Sequence, residues 1–367
     1  VASVNKVAKE QIAFLTYASA CGNLVYTFSW VTNVTGRPFW IAVLLGVLAN
    51  IPFAVWIMYL GQLYQGDTIF DILEKVLGKF FSKILIILYI ILNSIIAACL
   101  LNMFTGSVKT FFLFYTPSWI IMLFIVFICA MFVNSEIQVL GRFVEILVVV
   151  YTINYFIGFS FSFFKDFKIQ KILPIFDTTF IGFAKGFLIS AGSTAECLFF
   201  LMVLVGSVSE PYKNSKSVVK ALAYWSAVLS SAILIMSGVM SPELLSRVAG
   251  AGISVSKVIQ VGEFIRGLEI LILITYQLLT IAKVSLYIYS SWVSARILFN
   301  SRKSLLQLIL VSLIVFLLSA WINSFNTGYF LSVFLGSYIL LPFSVIILLL
   351  AALGTLLQKS RTGSGTK

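Results

Sequence analysis

Bulky apolar residues run for about twenty positions at a time along this chain, and a few polar or charged residues close each run before the next begins. With roughly 20 apolar residues needed per bilayer crossing, ten such runs are read at 11–32, 38–60, 83–104, 117–133, 144–164, 180–205, 218–239, 266–292, 304–321 and 329–356. They are continuous rather than alternating in segments of about ten, so crossing helices are expected and a membrane barrel is not. The pattern predicts an all-α polytopic membrane protein: one transporter-like domain over 1–358, then a disordered tail over 359–367.

Two stretches do not fit a crossing. DTIFDILEKVLGKFF, from Asp67 to Phe81, has helical periodicity and suits an amphipathic helix at the interface. SPELLSRVAGAGISVSKVIQVGEF, from Ser241 to Phe264, is too short of continuous apolar length and is placed at the surface.

Two of the runs are interrupted. TYASACGNLVYTF in the first carries Ser19, Ala20, Cys21, Gly22 and Asn23, and FLISAGSTAECLF in the sixth carries Ser190, Ala191, Gly192, Ser193 and Thr194. A five-plus-five inverted repeat, with repeat one over about 11–164, repeat two over about 180–321 and 329–356 completing it, would make these two helices counterparts. Discontinuous helices at matching positions point to a transporter-type site at the midplane, where freed backbone groups hold a small zwitterion. Close packing of small residues is the plainer alternative for either cluster alone. On the first reading both clusters are unwound and bind ligand.

Composition narrows the class further. The 367 residues are 60% hydrophobic and only 10% charged, far below the quarter or so that a soluble surface requires. The net charge of +12 is spread over short loops, with no run that would grip nucleic acid. With the N-terminus inside, 15 Lys and Arg fall on the cytoplasmic side against 9 outside, which places both termini in the cytoplasm. The first run lacks a small-x-small cleavage site, so no cleavable signal peptide is expected. The four cysteines lie within apolar runs and read as small fillers, not as a disulfide framework or a zinc site.

Charge inside the apolar runs changes the picture most. At about 1.5 Å per residue, Gly22 lies roughly 16 Å into the first helix, Glu196 about 24 Å down the sixth and Lys283 about 25 Å down the eighth. A charge at such depth costs at least a few kcal/mol unless paired, hydrated or neutralised. Two arrangements answer this: an ion pair between Glu196 and Lys283, or a protonated Glu196 bonded to an unwound carbonyl with Lys283 snorkelling to the interface. The other intramembrane polar residues are Asn50, Tyr89, Asn93, Asn102, Asn154 and Gln277. Helix-to-helix hydrogen bonding accounts for most, and Asn93 and Asn154 are taken as coupling candidates because their helices would flank the interrupted ones. Arg142 and Glu145 read as an interfacial ion pair. There is no histidine, and no carboxylate sits beside a nucleophile, a metal cluster or a phosphate loop, so no enzyme and no cofactor are expected.

Several stretches in order resemble the B subunits of bacterial spore germinant receptors, a family related to amino acid, polyamine and organocation transporters. They are Gln11 before the first run, LGKFFSKILIILYI at Leu77 to Ile90, GRFVEIL at Gly141 to Leu147, AECLFFL at Ala195 to Leu201, SPELL at Ser241 to Leu245 and FIRGLEIL at Phe264 to Leu271. The resemblance implies a ten-span inverted-repeat fold in the spore inner membrane that senses a nutrient, often an amino acid. Its implied partners are an A subunit that forms an ion channel and a C subunit lipoprotein. It also implies functional roles for Glu196, Glu145 and Glu269, which match the family's acidic positions. The chain departs from the pattern in the first helix, where Asn23 and Leu24 follow a single glycine with no proline before Pro38, and after Glu196, where a proline is missing. These departures leave the ligand class open. A nutrient sensor, a proton-coupled amino acid transporter and a structural subunit with a vestigial pocket are the readings carried forward.

Overall fold

The computed structural model describes the backbone at residues 7–21, 23–175, 177–246, 268–301, 304–322 and 324–363. The first interrupted helix consists of α1 (Lys9–Ala20) and α2 (Asn23–Thr35). A turn at Gly36, whose φ of +63° favours glycine, leads to α3 (Phe39–Leu48) and α4 (Ile51–Leu63). Pro52 sits in the first turn of α4, where a missing N–H breaks no helical bond.

The stretch from Asp67 forms α5 (Ile69–Leu77), which buries Ile69, Phe70, Ile72 and Leu73 and leaves Lys75 exposed. A capping box begins it: Thr68 Oγ1 accepts from the Asp71 amide at 3.2 Å, and Asp71 Oδ2 accepts from the Thr68 amide at 2.9 Å. Burial pushes the Asp71 carboxyl up, against the two Thr68 bonds that pull it down. Gly78 then turns the chain at φ +85° into α6 (Lys79–Phe111).

After α7 (Ser118–Asn134) and α8 (Ile137–Asp166) comes the second interrupted helix, α9 (Phe180–Thr194) and α10 (Glu196–Leu204). It is followed by α11 (Ser215–Val239), the short α12 (Pro242–Leu245), α13 (Leu268–Leu298) and α14 (Leu305–Ile322). Then α15 (Phe325–Leu335) and α16 (Leu341–Gly363) run together through a wider π turn at Gly336–Leu340. Of the expected surface segment only Ser241 to Ser246 is described, and Arg247, Lys257 and Arg266 lie outside the described residues. The expected disordered tail is corrected in part. Helix α16 continues through Lys359 to Gly363 because nothing before Gly363 stops it, and residues 364–367 lie outside the described residues.

Among the described residues seven segments are long and apolar enough to cross a membrane, from 39–63 to 326–356, with mean hydropathy between 1.6 and 2.8. Most are a third to a half buried and show the rest of their surface to lipid. The segment 180–207 is 94% buried, which puts the second interrupted helix at the centre of the bundle. Packing surrounds it with the first: α2 lies against α9, and α1 lies against α10, α11 and α8. The two interruptions are therefore neighbours, although about 170 residues separate them in the chain.

Candidate functional site

Helix α1 stops where Cys21 turns extended, at φ −72° and ψ 150°. The Cys21 amide still bonds back to the Tyr17 carbonyl at 2.9 Å, but an interrupted helix leaves carbonyls at its end without amide partners. Lys283 of α13 answers one of them, donating from Nζ to the Cys21 carbonyl oxygen at 2.6 Å. The same ammonium makes an ion pair with Glu196, the first residue of α10. Each of these two side chains is only 1% exposed. Tyr287, one turn along α13 from Lys283, lies beside Glu196.

The signs agree with the helix ends. The C-terminus of α1 carries partial negative charge and receives an ammonium, while the N-terminus of α10 carries partial positive charge and receives a carboxylate. Of the two arrangements open to Glu196 and Lys283, the structure has the paired one, with no snorkelling of Lys283. Gly22 lies outside the described residues, and of Asn23 only the backbone is described, as the start of α2. Ser19 and Ala20 are buried in the last turn of α1, with Ser19 Oγ donating to the Thr16 carbonyl at 2.8 Å.

The second interruption differs from expectation. Ser190, Ala191, Gly192, Ser193 and Thr194 are not unwound; they form the last turn and a half of α9. Their hydroxyls fold back on the preceding turn, Ser190 to Gly186 O, Ser193 to Ile189 O and Thr194 to Ser190 O, each at 2.8 Å. The break falls one residue later, at Ala195, whose amide still reaches the Ala191 and Gly192 carbonyls at 2.9 and 3.1 Å. Close packing is why these residues are small. A Cβ on Gly192 would stand 2.5 Å from the Gly336 carbonyl oxygen in the π turn, and one on Gly46 of α3 would stand 2.8 Å from the Ala191 amide. Asn50, in the turn between α3 and α4, donates from Nδ2 to both the Ala191 carbonyl and Thr194 Oγ1 at 2.9 Å.

The remaining sequence candidates separate. Asn93 is fully buried on α6; its Nδ2 donates to Tyr89 O at 2.9 Å and its Oδ1 has no hydrogen-bond partner among the described residues. Tyr89 in turn donates to the Phe199 carbonyl of α10 at 2.7 Å and stacks on the Phe199 ring, so this pair of turns on α6 braces the helix that begins with Glu196. Asn154 ties α8 to α13 through Thr275 Oγ1 at 2.7 Å. Arg142 and Glu145 form no ion pair among the described residues. Both lie on α8, which begins at Ile137, with Arg142 exposed and Glu145 half-buried. Of Glu269 only the backbone is described, in the first turn of α13. Gln11 donates to the Gln138 carbonyl at 3.2 Å and fills the space left by Gly141. The four cysteines are buried and form no disulfide with one another. Sequence reasoning missed Tyr287 beside Glu196, whereas Asn50 makes the helix-to-helix hydrogen bonds expected of it. Tyr287 stands four residues from Lys283 on the same helical face, a spacing that could have flagged it.

Comparison with known proteins bears on the family and the fold. The chain matches the family model described as spore germination protein over residues 6–327. It is 24% identical over 229 residues to the spore germination protein YndE of Bacillus subtilis (strain 168), a match covering 62% of this chain and 61% of that protein, so it spans less than two thirds of that relative's length. Among solved structures it is similar to a Na+-coupled sialic acid symporter in a substrate-bound, outward-open state, with TM-score 0.65 at 12% identity, covering 95% of this chain and 89% of that one. It is also similar to MhsT in complex with L-phenylalanine, with TM-score 0.67 at 15% identity, covering 94% and 89%. Identities this low establish a LeuT-like transporter fold and nothing finer. With a family match that takes in most of its length, and with the resemblance its sequence carried, this chain belongs to the spore germination protein family, as a non-enzymatic integral membrane protein on a transporter fold.

Proposed function

We propose that this chain is the nutrient-sensing membrane subunit of a spore germination receptor. It takes a small zwitterion, most naturally an amino acid, where Ser19 to Asn23 meet the junction of α9 and α10. The observation that carries this reading is the Lys283 ammonium held between the Cys21 carbonyl and the Glu196 carboxylate. That arrangement sets an ammonium at a helix C-terminus and a carboxylate at a helix N-terminus, the two positions where a zwitterion's own charged groups are stabilised. The pair acts as an internal stand-in for ligand. An arriving amino acid competes for the same helix ends, loosens Lys283 from Glu196 and shifts the population towards a second packing of the bundle. The L-phenylalanine complex of MhsT, a protein of the same fold, supports an amino acid as the class of ligand.

The wider assembly follows from membership of the family. Ten crossings arranged as a five-plus-five inverted repeat, with both termini cytoplasmic, would sit in the spore inner membrane. Here α1 with α2, α7 and α13 would supply the three crossings beyond the seven segments counted by length and composition. A channel-forming A subunit and a lipoprotein C subunit would read the shift in packing. Asn93, Asn154, Glu145 and Glu269 are assigned to transmission rather than to ligand contact.

A second reading is supported by the same pair: a titratable couple buried in the membrane suits a proton-coupled amino acid transporter. Purified protein reconstituted in liposomes separates the two. Equilibrium binding of one member of an amino acid panel, weakened by Lys283→Met and without uptake under a pH gradient, is the expected result. Concentrative uptake would overturn the sensor in favour of the transporter, and no binding across the panel would overturn both.

A further inference from the structure

Glu196 is approached from α13 by two side chains, not one. Lys283 and Tyr287 stand four residues apart on that helix, so they lie one above the other on a single face. Lys283 is 1% exposed and pairs with Glu196 Oε2; Tyr287 is 5% exposed and lies beside the same residue. Their bonding differs. The Lys283 ammonium is shared between that carboxylate and the Cys21 carbonyl. The Tyr287 hydroxyl is enclosed and makes no hydrogen bond of normal geometry with any described residue, Glu196 included.

An enclosed hydroxyl without a partner is unfavourable, because it has given up water and gained nothing in exchange. A phenylalanine would fill nearly the same space without that loss. While the ion pair is closed, then, the phenol oxygen of Tyr287 contributes nothing to stability. What the geometry offers is a neutral O–H donor held one helical turn from the cation, next to the carboxylate that the cation neutralises.

We infer that Tyr287 is a positioning residue of the switch, the donor that takes over Glu196 when Lys283 leaves it. This rests on the proposed competition between a ligand and Lys283 for the helix ends. Once Lys283 is loosened, Glu196 is a buried carboxylate without its cation, the costliest state that an opened ion pair can reach. Turning the Tyr287 hydroxyl onto it supplies a hydrogen bond to an ionised acceptor, among the strong kinds, with no proton transferred and no change in net charge. Glu196 then has a partner at both ends of the switch: Lys283 when the site is empty and Tyr287 when it is filled.

The test is a double-mutant cycle on the full chain in detergent, read by thermal melts with no amino acid present, so that it does not depend on finding a ligand. Tyr287→Phe alone is expected to melt as wild type does, since the hydroxyl it removes is unbonded while the pair is closed. In a Lys283→Met background, where Glu196 depends on the phenol, the same change is expected to lower the midpoint by roughly 2 to 6 °C, as for the loss of a hydrogen bond to a charged group. Equal shifts in the two backgrounds would overturn the assignment, because a packing role is the same in both. A second measurement, equilibrium binding of the amino acid panel, decides the matter should Lys283→Met not fold. There Tyr287→Phe is expected to weaken binding about tenfold or more at an unchanged melting midpoint, and an unchanged affinity would overturn the role. Binding of no amino acid by the wild type would overturn the proposed function, while the melts would still decide whether Tyr287 takes over Glu196.

Discussion

The first interrupted helix opens a gap at Cys21 that is closed from another helix, by the Lys283 ammonium, whereas the second opens almost none at Ala195, because its turn still bonds back to Ala191 and Gly192. At the first, it is the backbone carbonyl of Cys21 that Lys283 holds, not its side chain. At the second, backbone groups are nearly all satisfied and the side chains, or their absence at Gly192, hold the helix against α3 and the π turn. A carbonyl freed at a helix end needs a donor from elsewhere, and a close-packed helix needs neighbours of the right shape. The contrast makes the second helix a close-packed wall and leaves the end of the first held by a side chain from α13.

The largest way to break this comparison is at the ion pair. Lys283→Met or Glu196→Gln alone leaves a buried charge uncompensated and is expected to cost about 3 to 5 kcal/mol. The double variant is expected to unfold closer to wild type than either single one in detergent thermal melts. Purely additive losses would mean that the two side chains are not coupled. Next is Gly192→Val, which drives a side chain into the Gly336 backbone and is expected to cost about 1 to 3 kcal/mol by overpacking. A neutral Gly192→Val would return Ser190 to Thr194 to the role of an unwound segment. Asn50→Leu removes the bonds to Ala191 and Thr194 but leaves the Ala191 carbonyl its helical partner, so a loss of about 1 kcal/mol is expected. The smallest effect belongs to Cys21→Ala: the carbonyl that Lys283 holds is untouched, and the melting midpoint is expected to move by less than about 1 kcal/mol in stability terms. A collapse in that variant would show that the thiol, not the backbone, makes the site.

Much of the fold was legible because burial in a membrane is a crude and strong requirement. Continuous apolar runs mark helices wherever they enter lipid, and the amphipathic face of Ile69 to Leu77 declared itself against that background. The partnership of Glu196 with Lys283 was legible as one of two arrangements, because two charges at similar depth can pair or one can be neutralised. The misreading of SAGST has an equally physical cause. Small residues permit both unwinding and close approach, and the two uses leave the same letters. Only the position of Gly336 and Ser337, more than 140 residues away, decides between them.

By itself the sequence determined which segments are apolar enough to leave water, that a carboxylate and an amine go with them, and which family the chain resembles. Those are sums over local composition and need no partner. Tertiary structure alone decided that Lys283 reaches the Cys21 carbonyl, that SAGST is packed rather than open, and that Tyr287 lies beside Glu196. Each of these depends on the rotation of one helix against another, and that angle is set by side chains that meet only once the bundle has closed.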